Sequence, residues 1–428
     1  MKPKVIEKKY VVPFIIITSL FALWGFANDI TNPMVAAFGT VMDLTQARAS
    51  MIQFAFYAGY GTMAIPAALF IRKYSYKAGI LVGLILYAIG ALLFYPAAQL
   101  EQFNYFLWSL YILTFGLAFL ETTANPYILS MGDQQTATRR LNLAQSFNPM
   151  GSILGMFVAS NVVLTALQSD KRDAAGELIW NTLSEAEKAI IRTHDLAVIR
   201  DPYVMLGFAV LLVFVIIALT KMPKTVNTQS VKGGAMASFK RLIRIPKYRE
   251  GVIAQAFYVG VQIMCWTFIV QYAESLGFTK AEGQRFNIIA MAMFISSRFI
   301  CVYLMKFFKP SKMLTVFAVC GMISILFVIF IGGMFGLYAL IATSAFMSLM
   351  FPTIYGIALH GLGEDTTLGA AGLIMAIVGG ALLPPLQGLL IDQGTIAGLP
   401  AINVSFILCF VSFLIICIYG VRRFREEK

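Results

Sequence analysis

Two acids stand deep in apolar sequence, Asp29 and Glu121, and amides accompany both at helical spacing. Asp29 and Asn32 are three apart in Trp24-Gly25-Phe26-Ala27-Asn28-Asp29-Ile30-Thr31-Asn32-Pro33. Glu121 and Asn125 are four apart in Leu120-Glu121-Thr122-Thr123-Ala124-Asn125-Pro126, and Gln145 and Asn148 are three apart before Pro149. Residues three or four apart share one face of a helix. Gln255, Gln262 and Trp266 fall within a narrow helical stripe, with Tyr258 beside it. One polar residue in a membrane helix is ordinarily a helix–helix hydrogen bond worth about 0.6 kcal/mol. Four aligned stripes point instead to a shared polar cavity. Amides and carboxylates bond hydroxyls, and aromatic faces cover the apolar side of a ring. Each hydroxyl left unpaired in such a cavity would cost about 1–3 kcal/mol, so this lining suits a polyol and not an oily ligand. Burial disfavours the charged form of a carboxyl, so an acid in such a place can also take up and release a proton.

These residues need elements to hold them. Of the 428 residues, 59% are hydrophobic and only 13% charged. A soluble domain carries about 25% charged residues, so a water-soluble enzyme is excluded. A membrane-crossing helix needs about 20 apolar residues. Twelve such runs lie near 11–40, 50–71, 78–99, 104–131, 141–168, 202–221, 250–276, 286–307, 312–332, 333–357, 368–391 and 399–421. The boundary between the ninth and tenth is the weakest, marked by Gly332, Gly333 and Gly336. The runs are continuously apolar, whereas a barrel would show segments of roughly 10 alternating residues. The expected fold is an all-α membrane protein with twelve transmembrane helices in two six-helix halves. Residues 1–221 form the first half, 222–249 a cytoplasmic linker and 250–428 the second half. Pro33 is expected to weaken the first helix.

The net charge of +12 is a topology signal. With these boundaries, 24 of the 33 Lys and Arg residues fall on one side of the spans. Cationic loops stay inside, so both termini are expected in the cytoplasm of a bacterial inner membrane. The basic N-terminus followed by an apolar run reads as an uncleaved first helix. Ser238 to Tyr248 could form a basic amphipathic helix on the anionic inner leaflet. In the long outer loop near 169–201, Leu183-Ser184-Glu185-Ala186-Glu187 reads as a capped helix start. Arg298 is expected to snorkel or pair at the end of the eighth span.

Other chemistries lack their residues. The five cysteines, Cys265, Cys301, Cys320, Cys409 and Cys417, lie in spans without metal spacing and read as packing residues. Neither histidine, His194 or His360, sits in a metal motif, and no phosphate-binding loop or nucleophile elbow is visible. No catalytic residue, metal or cofactor is expected.

The strings Leu23-Trp24-Gly25-Phe26-Ala27-Asn28, Phe56-Tyr57-Ala58-Gly59-Tyr60, Tyr74-Ser75-Tyr76-Lys77-Ala78-Gly79, Leu120 to Pro126 and Leu141 to Asn148 carry a resemblance. It continues in Ala254-Gln255, Tyr258-Val259-Gly260, Cys265-Trp266 and Ala345-Phe346-Met347-Ser348. The chain resembles the fucose–galactose–gluconate proton symporter family of the major facilitator superfamily over nearly its whole length. In that superfamily two related halves enclose a substrate site at their interface. The resemblance implies proton-driven uptake of a monosaccharide by alternating access. It matches Glu121 to the family's protonatable glutamate, Gln145 and Asn148 to its fifth-helix amides and Gln262 to its seventh-helix glutamine. The first helix departs, with Asp29 and Asn32 standing where the family has asparagine and aspartate. The carboxylate keeps its face but moves about 4.5 Å along the axis. Phe351 replaces a family tyrosine.

The expectation is therefore a proton-coupled sugar importer. Glu121 and Asp29 are the proton-coupling candidates. Asp29, Asn32, Asn125, Gln145, Asn148, Gln255, Tyr258, Gln262 and Trp266 are the substrate-binding candidates. The expected partners are a monosaccharide, a proton and the lipid bilayer, with the chain acting as a monomer and no nucleic acid involved. The alternatives are a sodium-coupled or uniport carrier of another sugar or an amino sugar, and a non-transporting membrane sugar sensor.

Overall fold

The computed structural model describes residues 5–44, 48, 51–169, 171, 179–222, 235–278, 280–396 and 398–426. Twelve helical segments among them are long and apolar enough to cross a membrane. In chain order the helices are α1 (Val11–Val41), α2 (Met51–Lys73), α3 (Tyr76–Leu92), α4 (Phe94–Leu100), α5 (Phe103–Ser130), α6 (Ala137–Gln145), α7 (Asn148–Val158) and α8 (Glu185–Leu219). There follow α9 (Ala235–Arg244), α10 (Pro246–Ser275), α11 (Lys280–Leu304), α12 (Pro310–Leu326), α13 (Gly333–Met347), α14 (Met350–Leu359), α15 (Thr366–Met375), α16 (Gly379–Ile391), α17 (Ala401–Ser405) and α18 (Ile407–Glu426). Five spans are built from consecutive pairs: α3 with α4, α6 with α7, α13 with α14, α15 with α16, and α17 with α18. Strands β1 (Thr395–Ile396) and β2 (Leu399–Pro400) pair antiparallel between α16 and α17. Hydrocarbon offers no partners to the backbone, so each segment satisfies its own N–H and C=O groups. That requirement makes apolar runs of this length helical.

Local chemistry sets the boundaries. Ser75 caps α3 by accepting from the Ala78 N–H. Pro246 and Pro310 occupy first-turn positions of α10 and α12, where a missing N–H costs nothing. Gly332 and Gly333 take φ of +64° and +56°, a conformation open to glycine, and they separate α12 from α13 as the sequence predicts. Ser184 and Glu187 form a reciprocal capping box at the head of α8. The segment read as a loop near 169–201 is therefore largely helical from Glu185 onward, because the cap and its early acids start α8 well before the apolar run. Several prolines lie within helices and do not end them. α1 continues through Pro33, and Pro126 and Pro202 lie inside α5 and α8. The fifth span instead breaks after Gln145, ahead of Pro149.

The centre of the expected linker, Asn227 to Gly234, lies outside the described residues. The expected amphipathic helix is present as α9, but it stops at Arg244, because Pro246 restarts the chain as α10. Met236, Phe239 and Ile243 of α9 are exposed, while Ser238 and Leu242 are buried. Arg241 donates from Nε and Nη2 to the Asp365 carboxylate at 2.9 and 2.8 Å. That hydrogen-bonded pairing raises the pKa of the guanidinium and keeps it ionised. All five cysteines are free, three of them buried.

The chain clusters into two compact units. One comprises Met1–Phe14, Asn125–Ser146 and Thr225–Lys428; the other comprises Ile15–Ala124 and Phe147–Lys224. The unit boundaries fall inside α1, inside α5, at the break between α6 and α7, and between Lys224 and Thr225.

Candidate functional site

In the second unit, α2 and α5 build the site around Glu121. Gly59 of α2 faces Thr114 of α5, where an added Cβ would lie 2.7 Å from the threonine Cβ. This close approach brings the two helices together at the residue immediately before Tyr60. Tyr60 is 2% exposed and donates its hydroxyl to Glu121 Oε1 at 2.8 Å. Glu121 is itself buried. A carboxyl accepting from a neutral hydroxyl in a membrane span has no fixed countercharge in that bond, so the contact is compatible with either protonation state.

Asp29 sits in the same unit on α1. It is half-buried. α1 packs against α7 through glycines. A Cβ on Gly25 would collide with the Asn148 carbonyl, and one on Gly151 would collide with the Ala22 carbonyl. Only glycine permits this backbone approach. It lets Asn148 donate from Nδ2 to the Phe21 carbonyl at 3.1 Å. Asp29 and Asn148 are thus carried by two helices in direct backbone contact. The side chain of Asn32 lies outside the described residues.

In the first unit, Gln145 donates from Nε2 to Asn125 Oδ1 at 2.8 Å. Both side chains are buried. Gln255, Tyr258, Gln262 and Trp266 all stand on α10. Gln255 and Tyr258 are fully buried, and the amide atoms of the one and the hydroxyl of the other have no hydrogen-bond partner among the described residues. Trp266 donates from Nε1 to Ser344 Oγ at 3.2 Å and meets Phe294 edge-on, with ring centroids 5.1 Å apart. Gln262 and Trp266 are half-buried. Phe351 stacks on Tyr355 and lies edge-on to Tyr258.

Arg298 meets one of its two sequence expectations: it pairs. It does not snorkel. It is 3% exposed and donates to two backbone carbonyls, Ser348 O and Gln145 O. Nothing in the sequence pattern marks Tyr60 as the donor to Glu121. The Phe56 to Tyr60 string contained it, but a contact between positions 61 apart leaves no periodic trace. Among the described residues no group of His, Cys, Asp and Glu is arranged to hold a metal.

This architecture and these buried polar groups define a multi-span membrane transporter. The profile of the Major Facilitator Superfamily matches residues 15–378. The L-fucose-proton symporter of Haemophilus influenzae is 71% identical over 428 residues, covering all of both chains. The L-fucose-proton symporter of Escherichia coli is 36% identical over 426 residues, 98% of this chain and 94% of that one. A crystal structure of the transporter FucP in the outward conformation superposes with a TM-score of 0.88 at 34% identity, covering 97% of this chain and 99% of that one. The chain belongs to the Major Facilitator Superfamily and, within it, to the fucose permease family.

Proposed function

We propose that the chain is a proton-coupled sugar symporter that imports L-fucose or a closely similar monosaccharide by alternating access. The observation that carries this reading is Glu121, an acid buried in a membrane span and bonded to a neutral hydroxyl. A carboxyl held this way can exist with or without its proton as access changes. Two relatives spanning the chain are named L-fucose-proton symporters, which supports both the ion and the sugar class.

Glu121 carries the coupling proton, with Asp29 as the second acid. Asp29, Asn32, Asn125, Gln145, Asn148, Gln255, Tyr258, Gln262 and Trp266 form the sugar-binding set. The unpaired buried atoms of Gln255 and Tyr258 support a hydroxylated ligand, because each costs about 1–3 kcal/mol unless something pairs with it. Trp266 offers a face for the apolar side of a sugar ring. Residues 1–221 and 250–428 act as the two six-helix halves, joined by the linker 222–249. The chain works as a monomer in the bacterial inner membrane with both termini in the cytoplasm, and it needs no cofactor beyond the coupling proton.

Uptake of labelled L-fucose into membrane vesicles, under an imposed proton or sodium gradient, tests the reading. Accumulation driven by the proton gradient alone is expected. Accumulation that follows sodium, or binding without flux, would replace symport with the sodium-coupled or sensor alternative.

A further inference from the structure

Arg298 is a buried cation. Among the described residues no carboxylate pairs with it, and its guanidinium lies 4.5 Å over the Phe294 ring. Nε donates to the Ser348 carbonyl at 2.5 Å and Nη1 to the Gln145 carbonyl at 2.8 Å. Both acceptors mark places where a helix stops. Gln145 is the last residue of α6, and Ser348 directly follows α13. A helix C-terminus carries roughly half a negative charge, so two such ends supply partial negative charge to the guanidinium. A break inside a membrane span also frees carbonyls that must find donors. α11 provides them at the α13–α14 break, where Ser297 donates to the Ala345 carbonyl at 2.8 Å alongside Arg298.

Arg298 extends this service to the second break, between α6 and α7. It does so where α6 is already packed on α11 and α14. Asn142 Nδ2 donates to Thr353 Oγ1 at 3.1 Å, Arg139 Nε donates to the Val302 carbonyl at 2.9 Å, and Gly356 leaves room for Thr138.

We propose that Arg298 is a positioning residue for transport: its planar fork clamps α6 to the break between α13 and α14, and the bond to the Gln145 carbonyl must open each time α6 parts from α14. This rests on the alternating-access reading above. Arg298 acts through the backbone of Gln145, whose side chain belongs to the candidate sugar set, so its loss should alter the rate of the cycle more than the affinity for sugar. Lysine keeps the charge but not the fork.

The test uses the full-length chain with its five cysteines replaced and Thr138→Cys as a reporter. With Arg298 changed to Lys or Gln, labelling of that cysteine by a maleimide is expected to speed up at least threefold. In proteoliposomes the KM for L-fucose counterflow should change less than threefold, while kcat falls at least tenfold in R298Q and less in R298K. Unchanged labelling overturns the clamp. A KM rising tenfold with kcat intact also overturns it and makes Arg298 a sugar contact. A second arm leaves Arg298 in place and cross-links Asn142→Cys to Thr353→Cys. Counterflow should stop and return on reduction; persistence under the cross-link would show that α6 never leaves α14. Labelling needs no sugar, so a chain that moves no L-fucose sinks the proposed cargo while the clamp is still decided.

Discussion

The surroundings of Glu121 and of Arg298 are two solutions to one problem, an ionisable group buried in a membrane span. Glu121 in α5 accepts from a neutral hydroxyl, Tyr60, across a contact between two helices. Arg298 in α11 donates to two main-chain carbonyls at helix ends. The difference lies in what each group can do. A carboxyl that accepts from a hydroxyl can also be protonated in place, so its charge can change. A guanidinium remains protonated in proteins, so its charge is fixed and the backbone is arranged to absorb it. A buried acid of the first kind suits a proton carrier, and a buried base of the second kind suits a structural tie. Intramembrane ionisable residues are functional candidates by default, but the partner, more than the residue type, separates these two roles.

Four substitutions test this contrast. The largest effect is expected for Glu121→Gln, which keeps the shape and removes the titration. Uphill accumulation of L-fucose should fall at least 100-fold while counterflow exchange stays measurable in vesicles. Next comes Tyr60→Phe, which takes a donor from a buried acceptor at a cost of about 1–3 kcal/mol. Initial uptake should fall about tenfold while coupling persists; no change would mean the hydroxyl is incidental to Glu121. Asp29→Asn is expected to weaken L-fucose binding severalfold or to loosen coupling, read from equilibrium binding and from the pH dependence of uptake. If neither moves, Asp29 is structural. The smallest effect is expected for Ser184→Ala, at the head of α8. Loss of the cap costs about 1 kcal/mol, which should lower the unfolding temperature slightly and leave transport untouched.

The spans were legible in the sequence because hydrocarbon imposes a length and an apolarity that few other folds require. The Gly332 boundary and the Ser184 cap were legible because each depends on local residue types. The breaks after Gln145 and Met347 were not. Proline was the only local cue available, and it proved uninformative: α5 runs through Pro126 and α1 through Pro33, since neighbouring groups in a membrane bundle re-satisfy the freed backbone. Arg298 is legible as a pairing group, but its partners are hidden for a related reason. Its partners are carbonyl oxygens, which every residue has, so no side-chain pattern announces them. The stripes on α10 were legible as a face, but the pairing of Gln145 with Asn125 and of Tyr60 with Glu121 depends on helix neighbours that one chain cannot specify.

The central claim is that Glu121 carries the proton that moves with sugar. Its most direct test is the pH of a lightly buffered suspension of vesicles or proteoliposomes when L-fucose is added without any imposed gradient. The intact chain should produce a sugar-dependent alkalinisation of the medium, and Glu121→Gln should produce none while still exchanging labelled L-fucose. An equal alkalinisation from the variant would contradict the assignment.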